Sequence, residues 1–270
     1  MFSKLLKYDF RRVGRFGIPI LLILLGTTVL GGLNSLFFLG NIENVESSEG
    51  FFSVISMTSS VLMLVFAFFV IAAAASAIQI VIMVDFYRSL VSDVGYLTFT
   101  LPVKPRDILL SKLLNSSIWS LIVSLAAFIS GAVIISIIAY GTTEPGPPLG
   151  ILWSADAALT LILSVILIIV YFVNSQMLYF LAIFFSSVIT RKNKVLAAVG
   201  CVFGVNFIYG MVSNIVSTVL LFATDLFIDS ANPLVAVNIM LGIFTVLLSG
   251  LTVLFFFLTK HLMENKLNLA

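Results

Sequence analysis

Six long apolar runs dominate this sequence and limit what it can fold into. The runs lie at Gly17 to Leu39, Phe51 to Val84, Leu113 to Ala139, Ala157 to Ile189, Val195 to Ala223 and Leu234 to Thr259. A helix needs about 20 apolar residues to cross the ~30 Å hydrocarbon core of a bilayer, and every run exceeds that length. The sequence lacks the strand-like alternation of a membrane barrel. We therefore predict an all-α integral membrane protein with six transmembrane helices in a single domain, residues 1–270.

The composition excludes a soluble domain. Hydrophobic residues make up 61% of the chain and charged residues 10%, whereas soluble domains are roughly half apolar and about a quarter charged. The six runs use most of the 270 residues. Any water-soluble partner is therefore expected to be another chain.

The charged residues predict the orientation of the helices. All 14 Lys and Arg residues lie before the first run, between the second and third, between the fourth and fifth, or after the last. The alternate loops, 40–50, 140–156 and 224–233, carry acidic residues and no Lys or Arg. Because cytoplasmic loops are enriched in Lys and Arg, we predict cytoplasmic N- and C-termini and a multi-pass location in the inner (cytoplasmic) membrane. The net charge of +2 then reflects topology and contact with membrane lipids, and no nucleic-acid partner is expected.

The segment before the first run predicts an N-terminal interfacial helix, residues 1–16. Its apolar residues recur at helical spacing and its basic residues group on the opposite side, as in helices that lie in the membrane interface. Asp9 is the exception, since it falls near the middle of the apolar stripe. Two interpretations stay open: Arg12, three residues on, neutralises Asp9, or Asp9 contacts a docked cytoplasmic partner.

The residues that membrane catalysis or ion coupling needs are scarce. None of the six runs has an interior Asp, Glu, Lys, Arg or His, and the single His261 and single Cys201 form no cluster. We therefore expect no metal site, no catalytic residues and no cofactor in this chain. The sequence also has no G-x-x-x-x-G-K-[ST] phosphate loop, so ATP would have to be bound by a partner. A secondary transporter that coordinates sodium through backbone and hydroxyl groups remains a weaker alternative.

A pair of glycines in the fifth run, Gly200 and Gly204, has the G-x-x-x-G spacing of close helix packing. The spacing leaves open whether the contact lies within one subunit or between subunits. We favour a contact within the subunit.

The cytoplasmic connection from Asp85 to Lys112 is far longer than a connector needs. Its first part, "DFYRSLVSDV", predicts a short amphipathic helix that Gly95 ends. Pro102 and Pro105 then disfavour helix, and Pro105 suits the first turn of the third transmembrane helix.

This connection resembles a known family. The short aromatic and basic helix, followed by "GYL", "TLPV", a basic turn and "SKLL", is similar to the transmembrane permease subunits of bacterial ABC-2 type exporters. The N-terminal "LLKYDFRR" and the six spans with both termini inside resemble that group too, although Arg88-Ser89 stands where related permeases more commonly have Arg-Glu.

The resemblance implies a specific function. The chain would be a permease subunit that moves an amphipathic substrate (a peptide, lipid or drug) outward. It would pair with a second copy or a similar permease and with two ABC ATP-binding subunits that carry ATP and Mg. Residues 85–112 would hold the coupling helix that docks into the ATP-binding subunit. The implied contact residues are Tyr87, Arg88, Leu90, Val91, Asp93, Tyr96, Leu97 and, from the nearby N-terminal helix, Asp9. The alternative is a membrane scaffold or sensor that recruits a cytoplasmic partner through the same segment without transport.

Overall fold

A computed structural model of the chain describes residues 2–47, 51–92, 95, 104–142, 155–189, 193–227 and 233–265. Within these ranges the structure is helical and has no strand. The six long helices are α1 (Phe2–Ser47), α2 (Phe51–Phe86), α3 (Pro105–Thr142), α4 (Ala155–Ile189), α5 (Lys194–Phe227) and α6 (Pro233–Asn265). Each contains a stretch long and apolar enough to cross a membrane. The predicted all-helical architecture with six spans is confirmed.

All six helices are longer than a bilayer core requires. The shortest, α6, has 33 residues and the longest, α1, has 46, which at 1.5 Å per residue correspond to about 50 Å and about 69 Å. The hydrocarbon core is ~30 Å thick. The helices therefore tilt in the membrane or extend past the hydrocarbon into the interface and the solvent.

The N-terminal segment differs from the expectation of a separate interfacial helix. Residues 2–16 form the first turns of α1, which continues through Pro19 to Ser47. A single internal proline removes one backbone hydrogen bond, and membrane helices tolerate that loss. Asp9 and Val13 are buried on one side of these first turns, so this part of α1 already packs against protein.

Prolines mark two helix starts. Pro105 begins α3, as its position in the sequence predicted, and Pro233 begins α6. At the start of α3, the Asp107 N–H donates to the Lys104 carbonyl at 2.9 Å. Proline suits the first helical turn because its missing N–H has no partner within the helix there. The loops 143–154 and 228–232 lie outside the described residues.

The chain divides into two compact units. The first combines Met1–Asp9, Met83–Ser117 and Pro148–Ala270, and the second combines Phe10–Ile82 with Ile118–Pro147.

In the second unit, polar side chains link the helices at two places. The Thr28 and Ser130 hydroxyl groups lie 2.6 Å apart between α1 and α3. Asn34 donates its side-chain amide to the Ser60 carbonyl at 2.9 Å, between α1 and α2. Such bonds add about 0.6 kcal/mol each in membrane proteins, so most of the stability must come from packing.

The packing of the second unit relies on glycines in α1. A Cβ atom added to Gly14 or Gly17 would lie 2.9 or 2.5 Å from the Trp119 ring on α3. The Phe10 ring packs on the same tryptophan, with centroids 5.0 Å apart. Only glycine allows α1 to approach the indole this closely.

In the first unit, α4 packs along both α5 and α6, which contact each other much less. Asn174 on α4 connects all three helices. Its Nδ2 donates to Thr252 Oγ1 at 3.1 Å and to the Leu248 carbonyl at 3.3 Å on α6. Its Oδ1 accepts a hydrogen bond from the Tyr209 hydroxyl on α5 at 2.9 Å. A buried amide in a membrane helix needs such partners because unpaired polar groups are costly in hydrocarbon.

Candidate functional site

The start of the long connection is a π-helical turn that continues directly from α2. The turn covers Tyr87–Val91 and is closed by the Ser92 N–H, which donates to the Tyr87 carbonyl at 3.0 Å. Ser92 itself is extended, with φ −74° and ψ 171°. π-Helical turns are rare and occur frequently at functional sites.

The expected separate helix therefore takes another form. The helical segment runs on from α2 and ends at Val91, with Ser92 as its C-cap, before Gly95, which is itself helical. Gly95 instead serves a close approach: its N–H donates to the Ser92 carbonyl at 2.7 Å, and an added Cβ would lie 2.6 Å from the Leu90 carbonyl oxygen. Pattern analysis places residues at 3.6 per turn, so it could not anticipate the wider turn that ends the helix early.

Aromatic packing fixes the base of the turn. The Phe86 ring stacks on Phe180 of α4 with centroids 3.7 Å apart and an interplanar angle of 3°. It also meets the edge of Phe184, one turn further on, at 5.3 Å and 87°. All three rings are fully buried. Each aromatic pair adds about 1 kcal/mol beyond the buried area, so the turn is held against α4.

An ionic cluster at the same end joins three helices. Lys112 Nζ of α3 lies 2.7 Å from Asp9 Oδ1 of α1 and 2.9 Å from Asp85 Oδ2 of α2. The Ser111 hydroxyl donates to Asp9 Oδ2 at 2.9 Å. The three charged side chains are only 6–12% exposed. Removing one partner from such a buried network leaves an uncompensated charge, which makes the cluster a strong geometric constraint.

The sequence pattern does not predict this cluster. Asp9 and Lys112 are 103 positions apart, and no local spacing relates them. Two signals were present: Asp9 interrupts an apolar stripe, and residues of opposite charge, Asp85 and Lys112, stand at the two ends of the connection. The structure pairs Asp9 with Lys112.

The predicted contact residues divide by accessibility. Leu90 and Val91 are 0% and 3% exposed, so their side chains pack inside this chain. Tyr87 is half-buried and Arg88 is exposed. Asp9 lies in the ionic cluster, where it is 8% exposed. The remaining three predicted contacts, Asp93, Tyr96 and Leu97, lie outside the described residues, as does Pro102.

The predicted packing glycines face away from the rest of the described chain. Gly200 and Gly204 are exposed, and an added Cβ at either position would have no atom within 4 Å. The contact that we favoured, within the subunit, is therefore not made by the described residues. A contact between subunits stays a prediction.

The arrangement suits a mechanical role. The ionic cluster and the stacked phenylalanines fasten both ends of the connection to α1, α3 and α4, so a force on the π-helical turn reaches several helices at once.

Among the described residues no group of three or more His, Cys, Asp or Glu side chains has a geometry that could hold a metal ion.

Comparisons with protein-family models, curated proteins and solved structures return no match. The fold itself defines the class of the molecule. The chain is an all-helical, multi-pass membrane protein with six candidate membrane-spanning helices.

Proposed function

We propose that this chain is the transmembrane permease subunit of an ATP-driven exporter of the ABC-2 type. In this proposal a separate ATP-binding subunit docks at the connection from Asp85 to Lys112 and supplies ATP and Mg. The chain pairs with a second permease and moves an amphipathic substrate outward. The observation that carries the proposal is the π-helical turn Tyr87–Val91, which is fixed at its base and exposes Arg88.

Rigid attachment of the turn supports coupling. Phe86, the last residue of α2, is held against α4 by its contacts with Phe180 and Phe184. A connection that merely reversed the chain direction would not need fully buried aromatic packing near its start. A turn clamped in this way transmits displacement instead of absorbing it, because packed interiors deform little.

The charge pairing supports the same mechanism. Asp85 and Lys112 bracket the connection and bind each other, while Lys112 also binds Asp9. Movement at the connection is therefore shared by the ends of α1, α2 and α3. ATP binding must stabilise one arrangement of the docked turns over the other for hydrolysis to move the helices.

Arg88 is the residue best placed to contact the partner. It is the exposed charged side chain of the turn, and its neighbour Tyr87 is half-buried. Arginine and tyrosine are enriched among the residues that dominate binding energy in protein interfaces. Leu90 and Val91 support the turn from inside.

The test is co-purification with candidate ATP-binding subunits from the same genome. The wild-type chain, Arg88→Ala and the control Arg15→Ala are each reconstituted in nanodiscs, and bound subunit and ATPase rate are measured. Arg15 is also exposed and basic, and it lies before the first predicted span. We expect Arg88→Ala to weaken subunit binding at least about tenfold, the effect of ~1.4 kcal/mol at an interface. Arg15→Ala should behave as wild type.

If all three chains bind the ATP-binding subunit equally, the proposed docking site at Arg88 is wrong. If no ATP-binding subunit co-purifies at all, the exporter assignment fails and the scaffold alternative takes its place. Substitutions of Leu90 or Val91 are unsuitable for this test because both side chains are buried, and their loss would unfold the turn.

A further inference from the structure

One face of α1 changes from basic to aliphatic along its length. At alternating spacings of four and three residues, this face carries Arg11, Arg15, Ile18, Leu22, Leu25 and Val29. Helical geometry keeps all six positions within about 40° of one line along the helix. Both arginines are exposed, and the four aliphatic side chains are 54–63% exposed. These six residues form the outer row of α1.

The outer row points away from the packed side of α1 in the second unit. Val13, on the opposite side of the helix, is 2% exposed. Gly17 lies next to Val13 on that side, where an added Cβ atom would be 2.5 Å from the Trp119 ring. All of these residues belong to the second unit. The outer row is therefore the side of α1 that this unit leaves for its surroundings.

The two arginines of the outer row lack an acidic partner. The positions three and four residues away from each arginine hold Lys, Tyr, Gly, Arg, Ile or Pro. Neither guanidinium group takes part in an ion pair or a hydrogen bond with the part of the chain that the structure describes. Arg11 and Arg15 are themselves four residues apart, and like charges at that spacing repel each other. An anion held between them would replace this repulsion with attraction.

The change from Arg15 to Ile18 indicates the level of the membrane surface. Arginine is costly within hydrocarbon, whereas exposed aliphatic side chains are favourable there, so the hydrocarbon begins near Ile18. Arg15 precedes Ile18 by three residues and Arg11 precedes it by seven, which correspond to about 4.5 Å and about 10.5 Å of helix. The headgroup region of one leaflet is about 5–7 Å thick. Because arginine side chains are long, both guanidinium groups can reach this layer.

The charge of the outer row disfavours a second copy of the chain as its partner. Two copies related by a two-fold axis normal to the membrane would bring Arg11 and Arg15 opposite the same arginines of the other copy. Such contacts between like charges are unfavourable. Lipid phosphates carry the complementary charge and lie at the level of the arginines.

We propose that Arg11 and Arg15 bind the phosphate of an anionic glycerophospholipid, whose acyl chain lies along Ile18, Leu22 and Leu25. Two guanidinium groups one helical turn apart can donate to one phosphate together. The aliphatic part of the row supplies an apolar surface for the chain. Basic residues beside a membrane helix recognise anionic lipids through the same attraction.

This proposal assigns the membrane contact to the basic side of the N-terminal segment. The sequence pattern placed the apolar side of this segment in the interface, but in the structure Val13 on that side is buried by protein. The lipid site is separate from the connection at Asp85 to Lys112 and does not rest on the proposed exporter function.

The test titrates the purified chain with phosphatidylglycerol or with phosphatidylcholine of the same acyl composition and counts bound lipid by native mass spectrometry. We expect phosphatidylglycerol to bind at least about fivefold more tightly, because each arginine near the surface favours an anionic headgroup. Arg11→Gln should weaken the binding of phosphatidylglycerol about fivefold and leave that of phosphatidylcholine unchanged. Arg11→Lys should keep the preference.

Arg106→Gln is the matched control for Arg11→Gln. Arg106 is also exposed, but its charge is met by Asp107 at 3.5 Å. The same change of arginine to glutamine should therefore leave the binding of phosphatidylglycerol as in the wild-type chain.

The position of the acyl chain is tested with a phosphatidylglycerol that carries a photoreactive group in one chain. Irradiation should label the peptide that contains Leu22 and Leu25 in the wild-type chain. Arg11→Gln should reduce this labelling in proportion to its loss of affinity. Labelling of α5, where Phe203 and Phe207 are 73% and 70% exposed, should stay unchanged.

The proposal is wrong if the wild-type chain binds both lipids equally, or if Arg11→Gln and Arg106→Gln lose the same affinity. Labelling of the Leu22 peptide that does not depend on Arg11 would also overturn it. Efficient disulfide cross-linking of Leu22→Cys between two chains, with Cys201→Ser to remove the native thiol, would place a second copy on the outer row instead. All measurements use the isolated chain, so their failure leaves the Arg88 test of the exporter unaffected.

Discussion

The Lys112 ammonium group lies 2.9 Å from the Asp85 carboxylate, so the first and last residues of the long connection are bonded to each other. The connection is therefore a loop closed at its base. Lys112 also binds Asp9 at 2.7 Å, which adds α1 to the closure. The positions of Asp85 and Lys112 at the two ends of the connection therefore depend on each other and on the start of α1.

The contributions of Lys112 and Asp85 to the unfolding free energy should be strongly coupled to each other. We expect Lys112→Gln to cost about 3 kcal/mol of unfolding free energy, because two buried carboxylates lose their partner. Asp85→Asn should cost less when Lys112 is already replaced, giving a coupling energy of roughly 1–3 kcal/mol. Denaturant unfolding in mixed micelles of the single and double variants measures this coupling.

The exposed pair Arg106 and Asp107 provides the control for these measurements on the buried cluster. They form an ion pair at 3.5 Å whose side chains are 58% and 34% exposed. Exposed pairs contribute ~0–1 kcal/mol, so Arg106→Gln should change stability by less than about 0.5 kcal/mol. Similar losses for Lys112→Gln and Arg106→Gln would mean that the buried cluster is not a structural constraint.

The packing of Phe86 on Phe180 and Phe184, the aromatic clamp, should contribute to the stability of the chain. Phe86→Ala removes a fully buried ring from contact with Phe180 and Phe184, and we expect a loss of about 3 kcal/mol. Phe69→Ala is the control, since Phe69 lies on the same helix and is 71% exposed. Thermal unfolding of the two variants in one detergent compares them directly. Equal stability of the two variants would show that the clamp does not hold the turn.

Replacement by alanine should have opposite effects on stability at two glycines of α1. Gly17→Ala places a methyl group 2.5 Å from the Trp119 ring and should destabilise the chain by about 1–3 kcal/mol. Gly26→Ala meets no atom within 4 Å and should stabilise the helix by up to about 1 kcal/mol. Combining Gly17→Ala with Trp119→Leu should restore part of the loss. A neutral Gly17→Ala would contradict the close approach of α1 to α3 in the second unit.

A side chain at position 95 should disturb the start of the connection. A methyl group at this position would lie 2.6 Å from the Leu90 carbonyl oxygen, so Gly95→Ala should open the π-helical turn. Trypsin should then cleave after Arg88 several times faster, because cleavage follows the population of the open state. Gly200→Ala is the control, since nothing lies within 4 Å of its added Cβ. An unchanged cleavage rate in Gly95→Ala would show that the close approach is not required.

The parts of the fold that the sequence predicted are those set by composition and local spacing. Runs of more than 20 apolar residues identify membrane helices because the bilayer thickness fixes their length. Pro105 marked the start of α3 because its restricted backbone suits a first helical turn. Neither inference needs knowledge of which helices touch.

The remaining features depend on contacts between distant residues. The binding of Lys112 to Asp9 follows from how the ends of α1 and α3 meet, which no spacing within either helix specifies. Asn174 was one of several polar residues in the apolar runs, and its links to Tyr209 and Thr252 depend on the rotation of α5 and α6 about α4. The π-helical turn depends on the burial of Leu90 and Val91 together with Phe86. The continuous α1 shows that a proline and an amphipathic pattern do not suffice to end a helix.

In the proposed function, the connection from Asp85 to Lys112 contacts an ATP-binding subunit. The most direct measurement replaces Arg88 or, as a control, Arg15 with a photoreactive phenylalanine analogue and irradiates membranes that contain both proteins. Position 88 should give a covalent adduct of the chain with the ATP-binding subunit, and position 15 should give none or far less. An adduct from position 15 alone, or from neither position in membranes where the two proteins co-purify, would contradict the claim.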